Sequence, residues 1–487
     1  MKRLQADTAK PGRYSECLLQ IAISAICLLS VAACDFREPI PSISGPETVS
    51  GDILVPGQPM DENGTLIINR DRYLDRLHGF WLGQSIGNWT GLVTEMDKIG
   101  GEGPPGAFYT RTDWKTPDQP AIWADTPSEI SPVIDFVLRH GDEVWGADDD
   151  TDIEYLYQQA LYKNQTSILS PEQIREAWID HIYDETQPTP YGPDENGFQN
   201  YLWVSNQRAH ELMLAGLHPP ATSAPTNNPH WEMIDAQLTT EIFGVYTPGR
   251  PESALRMAYL PIRTTARGEA ALAAEFYVIM HALAAAAPEH IPMQERVTTI
   301  AQQARLHLPE DTYTAAMFDF VKSNYLRGVA WETTRDQLYQ RYQVEQADGY
   351  DMSSRNLYCN GCFASGINFG ASLISLFYGE GDIKKTIKIA TLCGWDADNP
   401  AATWGGLLGF MLGKRGIEQA FEQTFATRFN IHRTRKGFPD DGLDDFQNMA
   451  QIGLRVTDRA VKELLGGTVD DRNWIIPPPE AVSPIAE

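Results

Sequence analysis

The residues of this chain best suited to chemistry are five aspartates in two short clusters. Asp396 and Asp398 sit two apart in Cys393-Gly-Trp-Asp-Ala-Asp-Asn-Pro400, and Asp148, Asp149 and Asp150 run together in Ala147-Asp-Asp-Asp-Thr-Asp-Ile-Glu154. Carboxylate oxygens held at fixed spacing are ligands for hard divalent cations such as Mg2+, Mn2+ or Ca2+, and poor ligands for soft metals. Asp and Asn at a helix start also have a plainer use: they cap free N–H groups and suit the helix dipole. Thr151 with Glu154 three residues on reads as a capping box. Three consecutive aspartates exceed what capping needs, and they repel one another unless a cation lies between them. The two clusters, about 250 residues apart, are therefore read as halves of one site.

Helices must hold them in place. Asn399 reads as an N-cap and Pro400 as the first residue of an apolar, glycine-spaced helix over 401–413. After the upstream aspartates, Ile153, Leu156, Tyr157, Ala160 and Leu161 form an amphipathic pattern. A first helix from Arg70 carries Tyr73, Leu77, Phe80 and Trp81 at helical spacing. Gly79, Gly83 and Gly87 recur there every fourth residue, a groove for close packing against another helix. Glu95 follows in a loop or helix start, and the Gly- and Pro-rich stretch 100–130 reads as a rim over the site. Ser170-Pro-Glu-Gln173 is a capping box. Further helical patterns fall at 204–216, 269–287, 292–307, 311–323, 332–342, 365–378, 383–393, 417–428 and 446–465, with no run of alternating strands. The body over 70–476 is expected to be all-α and a single domain, because the two acidic clusters need a common core.

Composition limits the partners. Among 487 residues, 39 basic against 65 acidic give a net charge of −26, which argues against nucleic acid. Lys2, Arg3, Lys10 and Arg13 precede a short apolar run from Cys17 to Ala33, then Cys34. That pattern predicts a signal peptide over 1–33 and resembles a bacterial lipobox, in which Cys34 is lipidated and anchors the body to a membrane outside the cytoplasm. Residues 34–69 read as a flexible tether and 477–487 as a C-terminal tail. Cys359-Asn-Gly-Cys362 has no second pair to complete a zinc site, so these cysteines are expected to be packed or locally bridged.

Gly83 to Glu95, Asp148 to Thr151 and Asp396 to Asn399 resemble the three signature blocks of the ADP-ribosylglycohydrolases. Gly216-Leu-His-Pro-Pro220, Ile234-Asp-Ala-Gln237 and Tyr246-Thr-Pro-Gly-Arg-Pro-Glu252 are similar to a bacterial branch of that family. The resemblance implies a single large orthogonal helical bundle with two divalent ions, Mg2+ or Mn2+. It implies metal ligands at Asp148, Asp149, Asp150, Asp396, Asp398 and Asn399, with Glu95 guarding the reaction centre. It also implies hydrolysis of a ribosyl N- or O-glycosidic bond in a small-molecule or protein-linked substrate. The chain departs from the motif pattern at Asn88 (an Asp there), Asp148 (a Ser or Thr) and Asn399 (a Thr). Ala266 and Arg267 stand where the bacterial branch often carries a His.

From first principles, metal-held ribose hydroxyls and water, an oxocarbenium-like transition state near carboxylates, and Glu95 as general acid/base form one coherent mechanism. Two alternatives remain open. One is a membrane-anchored binding protein with a degenerate site. The other is a di-metal phosphoesterase, which needs an Arg or Lys that neither acidic motif has beside it in sequence.

Overall fold

The computed structural model describes residues 64–478, apart from 185, 188, 190–199, 352–358 and 360. Cys34, the signal segment and the tether up to residue 63 lie outside the described residues, as do most of those in the expected C-terminal tail.

Helices carry the described chain. The first half contains α1 (Arg70–Gly91), α2 (Asp149–Asn164), α3 (Pro171–His181), α4 (Val204–Leu214), α5 (Ile242–Val245), α6 (Pro251–Ile262) and α7 (Gly268–Ala285). The second contains α8 (Met293–Arg305), α9 (Tyr313–Leu326), α10 (Trp331–Leu338), α11 (Ser365–Gly379), α12 (Ile383–Cys393), α13 (Asp398–Phe421) and α14 (Phe446–Glu463). The fold is all-α, as its patterning predicts. Helix α7 is apolar around its whole circumference and buried, which fits a core helix.

The central feature is the α1–α13 pair. Gly79 faces Gly409 and Gly413, Gly83 faces Gly405, Gly87 faces Ala401 and Gly91 faces Asp398, so the two helices run antiparallel with backbones in contact. A Cβ on Gly83 would collide with the Gly405 carbonyl oxygen. The glycine spacing read from the sequence thus has a specific partner. Its consequence is positional: the C-terminal end of α1, with Asn88 and the Glu95 loop, is delivered to the N-terminal end of α13.

Five expectations are corrected. Short strands do form: β1 (Leu66–Asn69) pairs antiparallel with β6 (Asn473–Ile476), which also pairs with β5 (Thr468–Val469). A second sheet joins β2 (Val144–Gly146) in parallel to β3 (Arg428–Asn430), which pairs antiparallel with β4 (Leu443–Asp445). Strands of two to four residues show too few alternations to register as a period, and β1 and β2 pair with segments hundreds of residues away in sequence. For the same reason the stretch expected as tether to Asn69 includes β1, whose Asn69 side chain caps α1 by accepting from Arg72 N at 2.9 Å.

The helix starts differ too. Asp148, not Thr151, is the N-cap of α2, and Thr151 Oγ1 accepts from the Asp148 backbone N–H at 3.1 Å. Helix α13 begins at Asp398, so Asn399 and Pro400 lie within its first turn rather than at its cap and first position. The two helices expected over 401–413 and 417–428 are one element to Phe421, broken at Gly413, whose φ of 71° suits glycine.

Candidate functional site

Three N- or C-terminal helix ends meet at the site. From α2 come Asp148 and Asp149, half-buried, and Asp150, buried; from α13 come Asp396 just before its start and Asp398, both buried. Half-buried Glu95 comes from the loop after α1. Ligand oxygens of Asp148, Asp149, Asp150 and Asp398 lie within 4.8 Å of one another, and so do those of Glu95, Asp396 and Asp398. Asp398 belongs to both groups. The tertiary structure thus brings together all the carboxylates singled out from sequence.

The loop holding Glu95 is tied to the aspartates by backbone. Met96 N donates to Trp395 O at 2.9 Å and Trp395 N donates to Lys98 O at 2.7 Å. Met96 and Trp395 both have positive φ, 57° and 56°, a conformation that bulky residues seldom adopt. Such backbone concentrates where geometry is over-determined by function; here it aims Glu95 and Asp396 at one space. Asp396 N donates to Asn368 Oδ1 at 3.2 Å, and Asn368 Nδ2 in turn donates to Cys362 O at 2.8 Å. Cys359 and Cys362 form a disulfide, the locally bridged alternative, which braces this contact.

Two amides orient the carboxylates. Asn88 Nδ2 donates to Asp148 Oδ2 at 3.1 Å and to Asp150 Oδ2 at 3.3 Å. Asn399 Nδ2 donates to Asp150 Oδ1 at 3.2 Å, while its Oδ1 accepts from Gln237 Nε2 at 3.3 Å. Both polar ends of Asn399 are therefore engaged by protein, and in this arrangement it orients Asp150 rather than presenting a free ligand oxygen. Two departures from the motif pattern, Asn88 and Asp148, touch each other.

Burial raises the pKa values of Asp149, Asp150, Asp396 and Glu95 well above the carboxylate range, and neighbouring aspartates raise them further. Asp398 is pushed up to about 7, chiefly by burial and then by Asp148. Like charges crowded in this way need protons or a cation between them. Asp398 Oδ1 is buried with no hydrogen-bond partner among the described residues. An all-oxygen donor set with an orphaned carboxylate oxygen fits Mg2+, Mn2+ or Ca2+.

Several lining residues escaped the sequence reading. Trp123, Trp203, Ile234, Asp235, Leu238 and Phe363 surround the acidic floor. Trp123 belongs to the stretch read as a rim, and its ring stacks with Phe363 at 6.4 Å between centroids. Ile234-Asp-Ala-Gln237 is one of the segments similar to the bacterial branch, which is the sequence signal for Ile234 and Asp235. Arg433 had none. Its Nη1 lies 3.5 Å from Asp148 Oδ1, so a basic residue does stand beside the first acidic motif, in space though not in sequence. The basic residue that a di-metal phosphoesterase needs is therefore present at the cleft.

The family model of ADP-ribosylglycohydrolase matches residues 69–445, most of the chain, and the protein belongs to that family of glycosidic hydrolases. A solved structure described as an "ADP-ribosylglycohydrolase-related protein complex" is similar at 15% identity and a TM-score of 0.40, covering 80% of this chain and 99% of that one. No curated protein matches the chain.

Proposed function

We propose that the protein is a divalent-metal-dependent hydrolase that cleaves a ribosyl glycosidic bond of the ADP-ribosyl N- or O-glycoside type. The observation that carries this reading is the convergence of Glu95 and Asp396 with Asp148, Asp149 and Asp150 through the shared carboxylate of Asp398. Family membership supports the bond class, and the two overlapping oxygen groups support two ions held by Asp148, Asp149, Asp150, Asp396 and Asp398. Mg2+ or Mn2+ would supply Lewis acidity and a template for hydroxyls and water.

The chain's own residues do the rest. The carboxylate floor stabilises positive charge developing at the anomeric carbon. Burial, then four aspartates, raise the pKa of Glu95, which favours the protonated form that a general acid needs. Glu95 delivers that proton to the departing atom and then accepts one from the attacking water. The aromatic walls limit how much water reaches the floor.

The test is a product assay on an ADP-ribosyl N-glycoside and an O-glycoside with Mg2+ or Mn2+, repeated with EDTA. Metal-dependent release of ADP-ribose, absent in Asp149→Asn, is the expected result. Release of AMP or phosphate would instead establish the phosphoesterase, and binding without any product would establish the binding protein.

A further inference from the structure

Beside the acidic floor, the cleft widens into a part lined by Glu95, Trp123, Asp148, Tyr201, Trp203 and Arg433, among others. Among its described lining residues Arg433 is the one cation, set against five carboxylates. It projects from the short turn Ile431–Arg433 that follows β3. Its guanidinium carbon sits 5.2 Å over the Trp89 ring and 5.9 Å over the Tyr201 ring. Nη1 donates to Ala147 O at 2.8 Å.

These contacts hold the guanidinium in place without using it up. Its one carboxylate contact, 3.5 Å to Asp148 Oδ1, is long beside the roughly 2.7–2.9 Å of a charge-assisted bond. Nε and Nη2 make no hydrogen bond among the described residues. A guanidinium needed only to neutralise Asp148 would take the short, two-pronged contact that its planar fork favours. Stacked on aromatic faces and anchored by a carbonyl, it instead keeps donors available to an anion of matching shape. Trp123 and Trp203, 51% and 54% exposed, flank the same opening and leave room for a ligand against their rings.

We infer that Arg433 is a specificity-determining residue that recognises a phosphate carried by the ribosyl ligand, selecting phosphate-bearing ribosyl compounds over plain ribosides. The inference rests on the acidic floor being the ribose end of the cleft. It gives the site one pole for sugar hydroxyls and a second for a phosphate, on either side of Asp148.

Calorimetry on the full protein in Mg2+, with ADP-ribose and ribose as probes, measures two affinities for wild type, Arg433→Gln and Arg433→Lys. The preference for ADP-ribose over ribose is expected to fall about 10- to 100-fold in Arg433→Gln. Arg433→Lys, which keeps the charge but loses the fork, should lose part of it. An unchanged preference overturns the inference, as does a wild type without one. Equal losses for both probes also overturn it, because they would mark a role exerted only through Asp148. Should Arg433→Gln fail to fold, an undiminished preference in Arg433→Lys suffices to overturn it. Because the readout is binding, absence of glycoside turnover would remove the hydrolase reading and leave this inference standing. Turnover with no phosphate preference would do the reverse.

Discussion

Two sets of carboxylates lie along α2, about one helical turn apart. At its start, Asp148, Asp149 and Asp150 join Asp396, Asp398 and Glu95 around a cleft. One turn on, Glu154 is fully buried and its oxygens accept from Gln84 Nε2 at 2.5 Å and Ile242 N at 2.7 Å. Its neighbour Glu241 accepts from Thr403 Oγ1 at 2.9 Å and Thr240 N at 3.3 Å. Nearby Asp152 pairs with Arg435 at 3.0 Å and accepts from Thr434 Oγ1. Asp152 Oδ1 makes no hydrogen bond but faces the Arg435 guanidinium, so the deep set is matched by protein donors or a cation, whereas Asp398 Oδ1 in the cleft set has neither among the described residues. Asp150, Asp396 and Asp398 in the first set and Glu154, Glu241 and Asp152 in the second are all buried with raised pKa values, so neither property identifies a site. What separates them is whether the carboxylate oxygens already have partners, since an unsatisfied buried oxygen is costly unless something binds it.

The sharpest way to break this distinction is by turnover. Glu95→Gln is expected to lower kcat about 10²–10⁴-fold, whereas Glu154→Gln, which alters a carboxyl group that touches no cleft, should leave kcat near wild type. Similar losses in both would mean that the two sets act as one electrostatic unit.

A smaller effect concerns stability. Mg2+ at about a hundredfold over its Kd should stabilise the wild type by about 2.7 kcal/mol, because it binds only the folded state. A thermal melt of Asp398→Asn should show no such rise, and Glu241→Gln should keep it. Persistence of the full rise in Asp398→Asn would mean that its orphaned oxygen is not a metal ligand.

The smallest effect is in pH dependence. Burial pushes Glu241 up to about 7, and burial, then Glu241, raises Glu154. An unfolded Glu titrates near 4.3, so the folded state holds these protons more tightly. The contribution of Glu241 is full below about pH 4 and is lost as pH rises through about 7. Melts in saturating Mg2+ between pH 5 and 8 should therefore show a falling midpoint in wild type and a flatter profile in Glu241→Gln. A slope unchanged by that substitution would transfer the pH dependence to other groups.

Much of this was legible beforehand because it is written in local pattern. The glycine repeat of α1 needs only a 3.6-residue period to be seen, and the aspartate runs are contiguous. Even so, the pattern misplaced the helix starts. Asp148 outcompetes Thr151 as cap, and Asn399 is drawn off its expected cap position by Asp150 and Gln237, contacts that no local window contains.

By itself, then, the amino-acid sequence determined that the chain is helical, that two acidic clusters belong together, and that Glu95 follows the helix leading to them. Only the tertiary structure decided that α1 lies antiparallel on α13, which sets Glu95 beside Asp396. It also decided that Asn88 bridges Asp148 and Asp150, and that Arg433 stands at the same cleft. Periodicity reports which face of an element is apolar. The identity of the side chain across a contact depends on packing between segments hundreds of residues apart, where sequence spacing carries no distance information.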